Sequence, residues 1–222
     1  MERKKKVLIL GGEGNGGVIA NAMKDAEKRG YHEWEIVGYL NDGYPIGTLI
    51  DSFPVVGTIK EDLARFIVEG YYFIVAIMKI DGASERLEFI RNLNIPEDQL
   101  ATFVHPTAYV APNVILNPGC VIMPHVCISS NTILKKCCIV MVAATIGHDN
   151  VIDEYTHIAA QACVGSFLKV GRGVYIGLNS SIRENLVIGD YSTLGMGAVL
   201  TKDVGVNEIW AGVPAKLLRI VE

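Results

Sequence analysis

A small parallel α/β sheet of half-Rossmann type, followed by a left-handed parallel β-helix of hexapeptide repeats, is the fold class that this chain of 222 residues predicts. Two observations carry the prediction. From Val104 an aliphatic residue occupies every sixth position without a miss, and before it short apolar runs alternate with helical patterns around a glycine-rich loop.

The series runs Val104, Val110, Leu116, Ile122, Ile128, Leu134, Val140, Ile146, Ile152, Ile158, Val164, Val170, Ile176, Ile182, Ile188, Leu194, Leu200 and Val206. Valine, leucine and isoleucine fill roughly one position in four of an ordinary chain, so eighteen successive hits by chance have odds on the order of 10^-11. A helix repeats near 3.6 and an alternating strand at 2, so a mark every six residues means short strands joined by tight corners. A second interior mark lies four residues after each aliphatic one and is mostly small. Ala144, Ala162, Ser180 and Ala198 would stack in one column of a triangular eighteen-residue coil. Glycine directly follows the aliphatic mark at Gly147, Gly165, Gly171, Gly177, Gly189 and Gly195, where the chain is expected to bend and a side chain would obstruct. About 5.7 coils at roughly 4.8 Å per strand spacing give a prism on the order of 27 Å long.

The repeat cannot begin before Val104, so two units are expected, residues 1–103 and 104–222. Net charge is -4 and the isoelectric point about 5.8, with no basic stripe beyond Arg3 to Lys6. That balance argues against nucleic acid and anionic membranes as partners. Five cysteines (Cys120, Cys127, Cys137, Cys138 and Cys163) form an odd set without a CxxC pair, and two of them fall on interior repeat positions. They read as small core residues in a reducing compartment. The apolar run Val7 to Leu10 is too short for a signal peptide and no stretch approaches a membrane span, so a cytoplasmic protein without membrane insertion is expected.

Val7 to Leu10 reads as a buried strand, followed by Gly11-Gly12-Glu13-Gly14-Asn15-Gly16-Gly17 and an amphipathic helix from about Val18 to Lys28. Such a helix start can cradle phosphate: its N–H groups point outward, the helix dipole favours an anion, and missing side chains allow close approach. A second strand, Glu35 to Tyr39, ends at Leu40-Asn41-Asp42, where a carboxylate is placed to accept hydrogen bonds from a ribose or a base edge. A third spans Tyr72 to Ile77, and between them Thr58 and Glu61 form a capping box opening a helix to about Val68. Gly12-x-Gly14-x-x-Gly17 matches the dinucleotide fingerprint, yet the chain leaves this grammar after roughly three strands, and a single half suits one nucleotide better than two. A loop serving only as a tight turn and a nicotinamide site are the alternatives.

Of the five histidines, His32, His105, His125, His148 and His157, the candidate for chemistry is His148. It takes the third place of its hexad in Ile146-Gly147-His148-Asp149-Asn150, so its imidazole should project outward while Ala144 and Asn150 face inward. An outward histidine beside a carboxylate is a candidate general base, since its ordinary pKa lies near working pH and Asp149 can hold the ring. From these residues alone, an exposed polar histidine reads equally well. His157 follows nine residues on, half a coil later. A γ-class carbonic anhydrase uses the same kind of prism with zinc on three histidines. The histidine pair five apart that such a site resembles is missing, and no Cys/His cluster stands at ligand spacing, so no metal is expected.

The glycine loop, Tyr39-Leu40-Asn41-Asp42, Pro54-Val55-Val56-Gly57, Gly147-His148-Asp149, His157-Ile158, Gly177-Leu178-Asn179-Ser180 and Ala211-Gly212-Val213-Pro214-Ala215-Lys216 stand in an order that resembles the sialic acid O-acetyltransferase and PglD-type sugar acyltransferase family. The likeness runs through nearly the whole chain. It implies a homotrimer whose N-terminal domain binds a nucleotide-linked sugar and whose β-helices bind acetyl-CoA between subunits. It further implies His148 as general base supported by Asp149, and acetyl-CoA contacts at His157, Gly165, Gly177, Leu178, Gly195, Met196, Gly212, Pro214 and Lys216. The nucleotide sugar would meet Gly11, Gly12, Glu13, Gly14, Asn15, Gly16, Asn41, Asp42, Gly57 and Met78. Many members carry an acidic pair where this chain has Asn41-Asp42, a glycine where it has Met78, and often a histidine where it has Asn15; all three differences surround the acceptor.

The expected reaction is acetyl transfer from acetyl-CoA to the amino group of a nucleotide-linked amino-deoxysugar, for surface polysaccharide or glycan synthesis. The oxyanion is expected to rest on backbone N–H groups of a glycine corner. A sugar O-acetyltransferase and a non-catalytic trimer that binds a nucleotide sugar are the competing readings.

Overall fold

The computed structural model describes residues 4–77 and 83–221. Strand β1 (Lys5–Leu10) is followed by α1 (Asn15–Lys28), β2 (Trp34–Leu40), β3 (Leu49–Ile50), β4 (Phe53–Gly57), α2 (Ile59–Val68), β5 (Tyr72–Val75) and α3 (Ala83–Asn92). The sheet order is β3-β4-β2-β1-β5, parallel except for the β3–β4 hairpin. β1 lies between two neighbours, and Val7, Leu8, Ile9 and Leu10 are wholly buried, which is why its sequence is a continuous apolar run rather than an alternating one. α1 turns Ile19, Ala20, Met23 and Ala26 inward at helical spacing.

α1 starts three residues before the expected Val18, because Asn15-Gly16-Gly17 is already helical. The hairpin and α3 were not anticipated: the hairpin turns through Asp51 and Ser52 at φ 45° and 76°, without the Asn-Gly or Asp-Gly pair that announces such turns. Thr58 Oγ1 accepts from Glu61 N–H (3.1 Å), while the acceptor for Thr58 N–H is Asp62 (2.8 Å) in place of Glu61.

Seventeen two-residue strands, β6 (Phe103–Val104) to β22 (Val199–Leu200), start at every sixth residue and wind a left-handed parallel β-helix with three sheets. Residues eighteen apart pair directly, as in the row Thr145, Cys163, Ser181 and Val199. From Ile122 to Leu200 no member of the aliphatic stripe is more than 4% exposed. Each such side chain contributes about 1.5–3 kcal/mol by leaving water.

The corners differ from expectation in one respect. The left-handed turn is made by the third residue after the aliphatic mark: His125, Asn131, Cys137, Ala143, Asp149, Tyr155, Gln161 and Phe167 all have φ between 55° and 60°. The glycines next to the mark do not make the bend. A Cβ on Gly147 would lie 2.7 Å from the Gly165 carbonyl oxygen and one on Gly177 2.5 Å from that of Leu194, so glycine is required because the next coil passes close.

Interior polar groups fasten these corners. Thr132 Oγ1 donates to the Gly147 carbonyl and Thr156 Oγ1 to that of Gly171 (2.9 Å each), Asn150 Nδ2 to Gly165 (2.8 Å), and the Cys120 and Cys138 thiols to Lys135 (3.2 Å) and Asp153 (3.1 Å). Every acceptor stands fifteen residues after its donor. Because each of these groups is bonded, burying it carries little penalty.

The stripe ends before Val206, which is 57% exposed rather than interior. After β22 the phase breaks: Asp203 accepts from Val187 N–H (2.8 Å), and Val204 bridges Ile188 only sixteen residues back. β23 (Glu208–Gly212) keeps that offset, with Trp210 opposite Leu194, and β24 (Ala215–Ile220) folds back on it as a hairpin.

Candidate active site

Gly147, His148 and Asp149 form the corner between the strands Thr145–Ile146 and Val151–Ile152. Beneath it the fully buried Asn150 amide donates to the carbonyls of Gly147 and Gly165 (2.8 Å each), and its Oδ1 accepts from Leu168 N–H (2.7 Å). A fully bonded buried amide holds the corner rigid. Outside, the His148 side chain is 49% exposed. Its Nδ1 lies 2.7 Å from Asp149 Oδ2, its main-chain N–H donates to Ser166 Oγ (3.2 Å), and its ring stands perpendicular to that of Phe167 with 5.0 Å between centroids.

Asp149 adopts φ 58°, which a short polar side chain tolerates. Its Oδ1 accepts from Asn131 Nδ2 (3.1 Å), one coil back, and Asn131 is bonded in turn to Asn113. The hydrogen bond from His148, aided by that from Asn131, holds the Asp149 carboxyl below its ordinary pKa against partial desolvation. An ionised carboxylate only accepts, so in the neutral imidazole the ring proton sits on Nδ1 and the lone pair on Nε2. That tautomer lets the imidazole act as a base through Nε2.

His157 does not meet His148 within the chain. Half a coil carries it onto the eight-stranded sheet, where it is 3% exposed, stacked on Tyr175 (5.3 Å between centroids), and shares a small cavity with Arg86 and Ile90 of α3. Its Nδ1 is buried without a hydrogen-bond partner among the described residues. Burial, then the Arg86 guanidinium, pushes its pKa down to about 4. α3, unseen in the sequence, lines the same cavity. His105 is also structural, with Nε2 3.2 Å from Asp25 of α1.

Gly165 lies one coil after Gly147 at the same corner, whereas Gly177 and Gly195 mark another, beside Leu178 and Met196, which are 47% and 76% exposed. The N–H groups of Gly147, Gly165, Gly177 and Gly195 all donate to the next coil, to Val164, Ile182, Leu194 and Trp210. Those donors are spent, so an oxyanion at a glycine corner would have to rest on the N–H groups of neighbouring residues. The same ladder uses Asn179 and Gly197 and passes over Leu178 and Met196, whose N–H groups meet no acceptor among the described residues. Gly212 (φ 98°) and Pro214 occupy the exposed β23–β24 turn, with Lys216 paired to Ala211.

In the glycine loop Glu13 and Gly14 are exposed, Gly11, Gly12 and Asn15 partly so, and Gly16 is buried against Ile9 and Tyr39. α1 starts after Gly14 with no side-chain cap and no acidic residue in its first turn. The start of α2, by contrast, is filled. Asp42 Oδ1 accepts from Ile59 N–H (2.7 Å) and Lys60 N–H (3.3 Å), so the carboxylate expected to meet a ribose serves as a helix cap. Asn41 is likewise engaged, donating to the Gly11 carbonyl (2.8 Å) and accepting from Gly43 N–H (2.7 Å). Gly57 packs on the Asp62 side chain, and Met78 lies outside the described residues.

Sequence reasoning missed Asn131, Ser166 and Phe167, the groups that touch His148 or Asp149. Coil length was the available signal, since Asn131 and Phe167 stand eighteen residues before and after Asp149. Among the described residues no group of three or more His, Cys, Asp or Glu is arranged to hold a metal, and no helix is long and apolar enough to cross a membrane.

A hexapeptide-repeat prism set after a Rossmann-like sheet is the architecture of the left-handed β-helix acetyltransferases. The PglD N-terminal domain family matches residues 6–80, and the acetyltransferase domain of PglB from Neisseria gonorrhoeae, solved with acetyl coenzyme A, is 30% identical over 97% of this chain and 100% of that one, at a TM-score of 0.82. The chain belongs to the PglD-type sugar acyltransferase family. The perosamine N-acetyltransferase of Caulobacter crescentus, solved with CoA and GDP-perosamine, shares the fold at 23% identity, covering 96% of this chain and 97% of that one, with a TM-score of 0.83. Galactoside O-acetyltransferase of Escherichia coli (strain K12) is 38% identical over 52 residues, 23% of this chain and 26% of that protein. The chain thus spans about a quarter of the length of the curated relatives it matches.

Proposed function

We propose that the protein transfers an acetyl group from acetyl-CoA to the amino group of a nucleotide-linked amino-deoxysugar, in the building of a surface polysaccharide or glycan, with His148 as general base. The observation that carries the reading is the half-exposed imidazole whose Nδ1 is held by an ionised Asp149. The amine attacks the thioester carbonyl as His148 Nε2 takes its proton. The tetrahedral intermediate then collapses, the C–S bond breaks, and the departing thiolate takes the proton from the imidazolium. General base catalysis of this kind is worth about 10²–10⁴-fold.

The unspent N–H groups of Leu178 and Met196 support acetyl-CoA binding along their corner. The uncapped start of α1 behind Gly11 to Gly16 supports a nucleotide diphosphate there. His148 and the Leu178–Met196 corner belong to different edges of one prism, so a cleft between adjacent subunits of a homotrimer is what would bring them together. The relative that binds GDP-perosamine is an N-acetyltransferase, and an amine is a better nucleophile than a sugar hydroxyl; the galactoside O-acetyltransferase match keeps the hydroxyl as the second reading.

The test is thiol release from acetyl-CoA with a panel of UDP-, GDP- and dTDP-linked amino sugars. His148→Ala should abolish transfer while the oligomer persists. Near-normal turnover in that variant would refute the assignment.

A further inference from the structure

We infer that Phe167 is a positioning residue for His148: the edge of its ring pins the imidazole on Asp149. The inference rests on the reading of His148 as the base. At this corner successive coils place Asn131, Asp149, Phe167 and Asn185 in the left-handed position, at φ 58°, 58°, 59° and 61°. Asn and Asp visit that region at small cost, whereas a bulky aromatic residue does so at a cost of about 1–2 kcal/mol. No core burial offsets it, for Phe167 is 52% exposed. Tyr155, an aromatic residue at another corner, instead lines a cavity with Ile90 and Arg91 of α3.

The ring contact of Phe167 is with His148. The coil that follows the base therefore holds it twice, through Ser166 Oγ on the main-chain N–H and Phe167 on the imidazole, while Asp149 holds Nδ1. Without the aromatic edge, a half-exposed ring is free to swing off the carboxylate, and the tautomer that leaves Nε2 basic is no longer enforced. An unfavoured conformation kept beside a reacting group, where three other coils use Asn or Asp, is the pattern expected of a residue retained for the site rather than for the fold.

Phe167→Asn and Phe167→Tyr test this. The Asn variant suits the corner, so it should fold with an unchanged or raised melting temperature. Its kcat should fall about 10- to 100-fold with KM for acetyl-CoA unchanged, and the Tyr variant should restore kcat. Long-range ¹H–¹⁵N correlation of the His148 ring should show one Nδ1–H tautomer in the wild type and a mixture in Phe167→Asn. The inference is overturned if the Asn variant keeps the wild-type ring spectrum. A changed spectrum with unchanged kcat would uphold the pinning and sink the base reading, so the two failures are distinguishable.

Discussion

Lowering the pH from 7.5 to 5 should cost this protein about 2 kcal/mol of folding stability through His157 alone. The imidazole is buried against Tyr175, with Arg86, Tyr155 and Cys137 around the same small cavity, and its pKa falls from 6.5 to about 4. Between those values the unfolded chain binds a proton that the folded chain refuses, so stability is full above 6.5, declines as pH falls, and levels off below about 4. At 1.36 kcal/mol per pKa unit the whole difference is about 3 kcal/mol, of which about 2 is lost by pH 5. Urea unfolding at fixed protein concentration measures it, with His157→Phe as the comparison because the ring keeps its stack on Tyr175. His105 also has a lowered pKa, chiefly through burial, so the quantity read is the difference between the two proteins. If both lose stability in parallel from pH 7.5 to 5, His157 is not held neutral by burial and the reasoning fails.

Asp149→Asn keeps the shape of the side chain but presents an amide that donates as readily as it accepts, so the proton is no longer confined to Nδ1. Its kcat should drop by about 10²–10⁴-fold, and steady-state assays alongside a melting curve that stays at the wild-type position check it. Asn150→Leu leaves the Gly165 carbonyl and Leu168 N–H without the Asn150 amide, while the Gly147 carbonyl keeps Thr132 Oγ1. At about 1–3 kcal/mol per unsatisfied buried group, a loss of roughly 3–5 kcal/mol is expected in urea unfolding; a loss under 1 kcal/mol would show that the corner is held some other way.

The prism was legible because its phase repeats: once Ile146 faces inward, His148 must face out and Asn150 in, and the structure keeps all three. Phase is also where legibility stopped. Val206 continues the pattern in sequence, but Asp203 takes a strand donor and shifts the register, a side-chain event that no period announces. Asp42 reads as a free carboxylate until α2 begins seventeen residues later and its N–H groups turn toward it. Nothing near His157 in sequence announces the cavity it shares with Arg86 and Ile90 of α3. Such cases depend on a partner from another element, and local sequence carries only one half of the contact.

The fastening of five corners by a side chain fifteen residues earlier makes the length of this half of the molecule a discrete quantity. Removing a whole coil after Leu168 would leave each surviving donor facing an acceptor at the same chain distance, and the neighbours of Asp149 untouched. Removing or adding a number of residues that is not a multiple of eighteen within the strand ladder would set the donors of the coil before it against the wrong carbonyls. Length variation within the prism should therefore come in steps of one full turn, with smaller changes confined to corners that project into solvent.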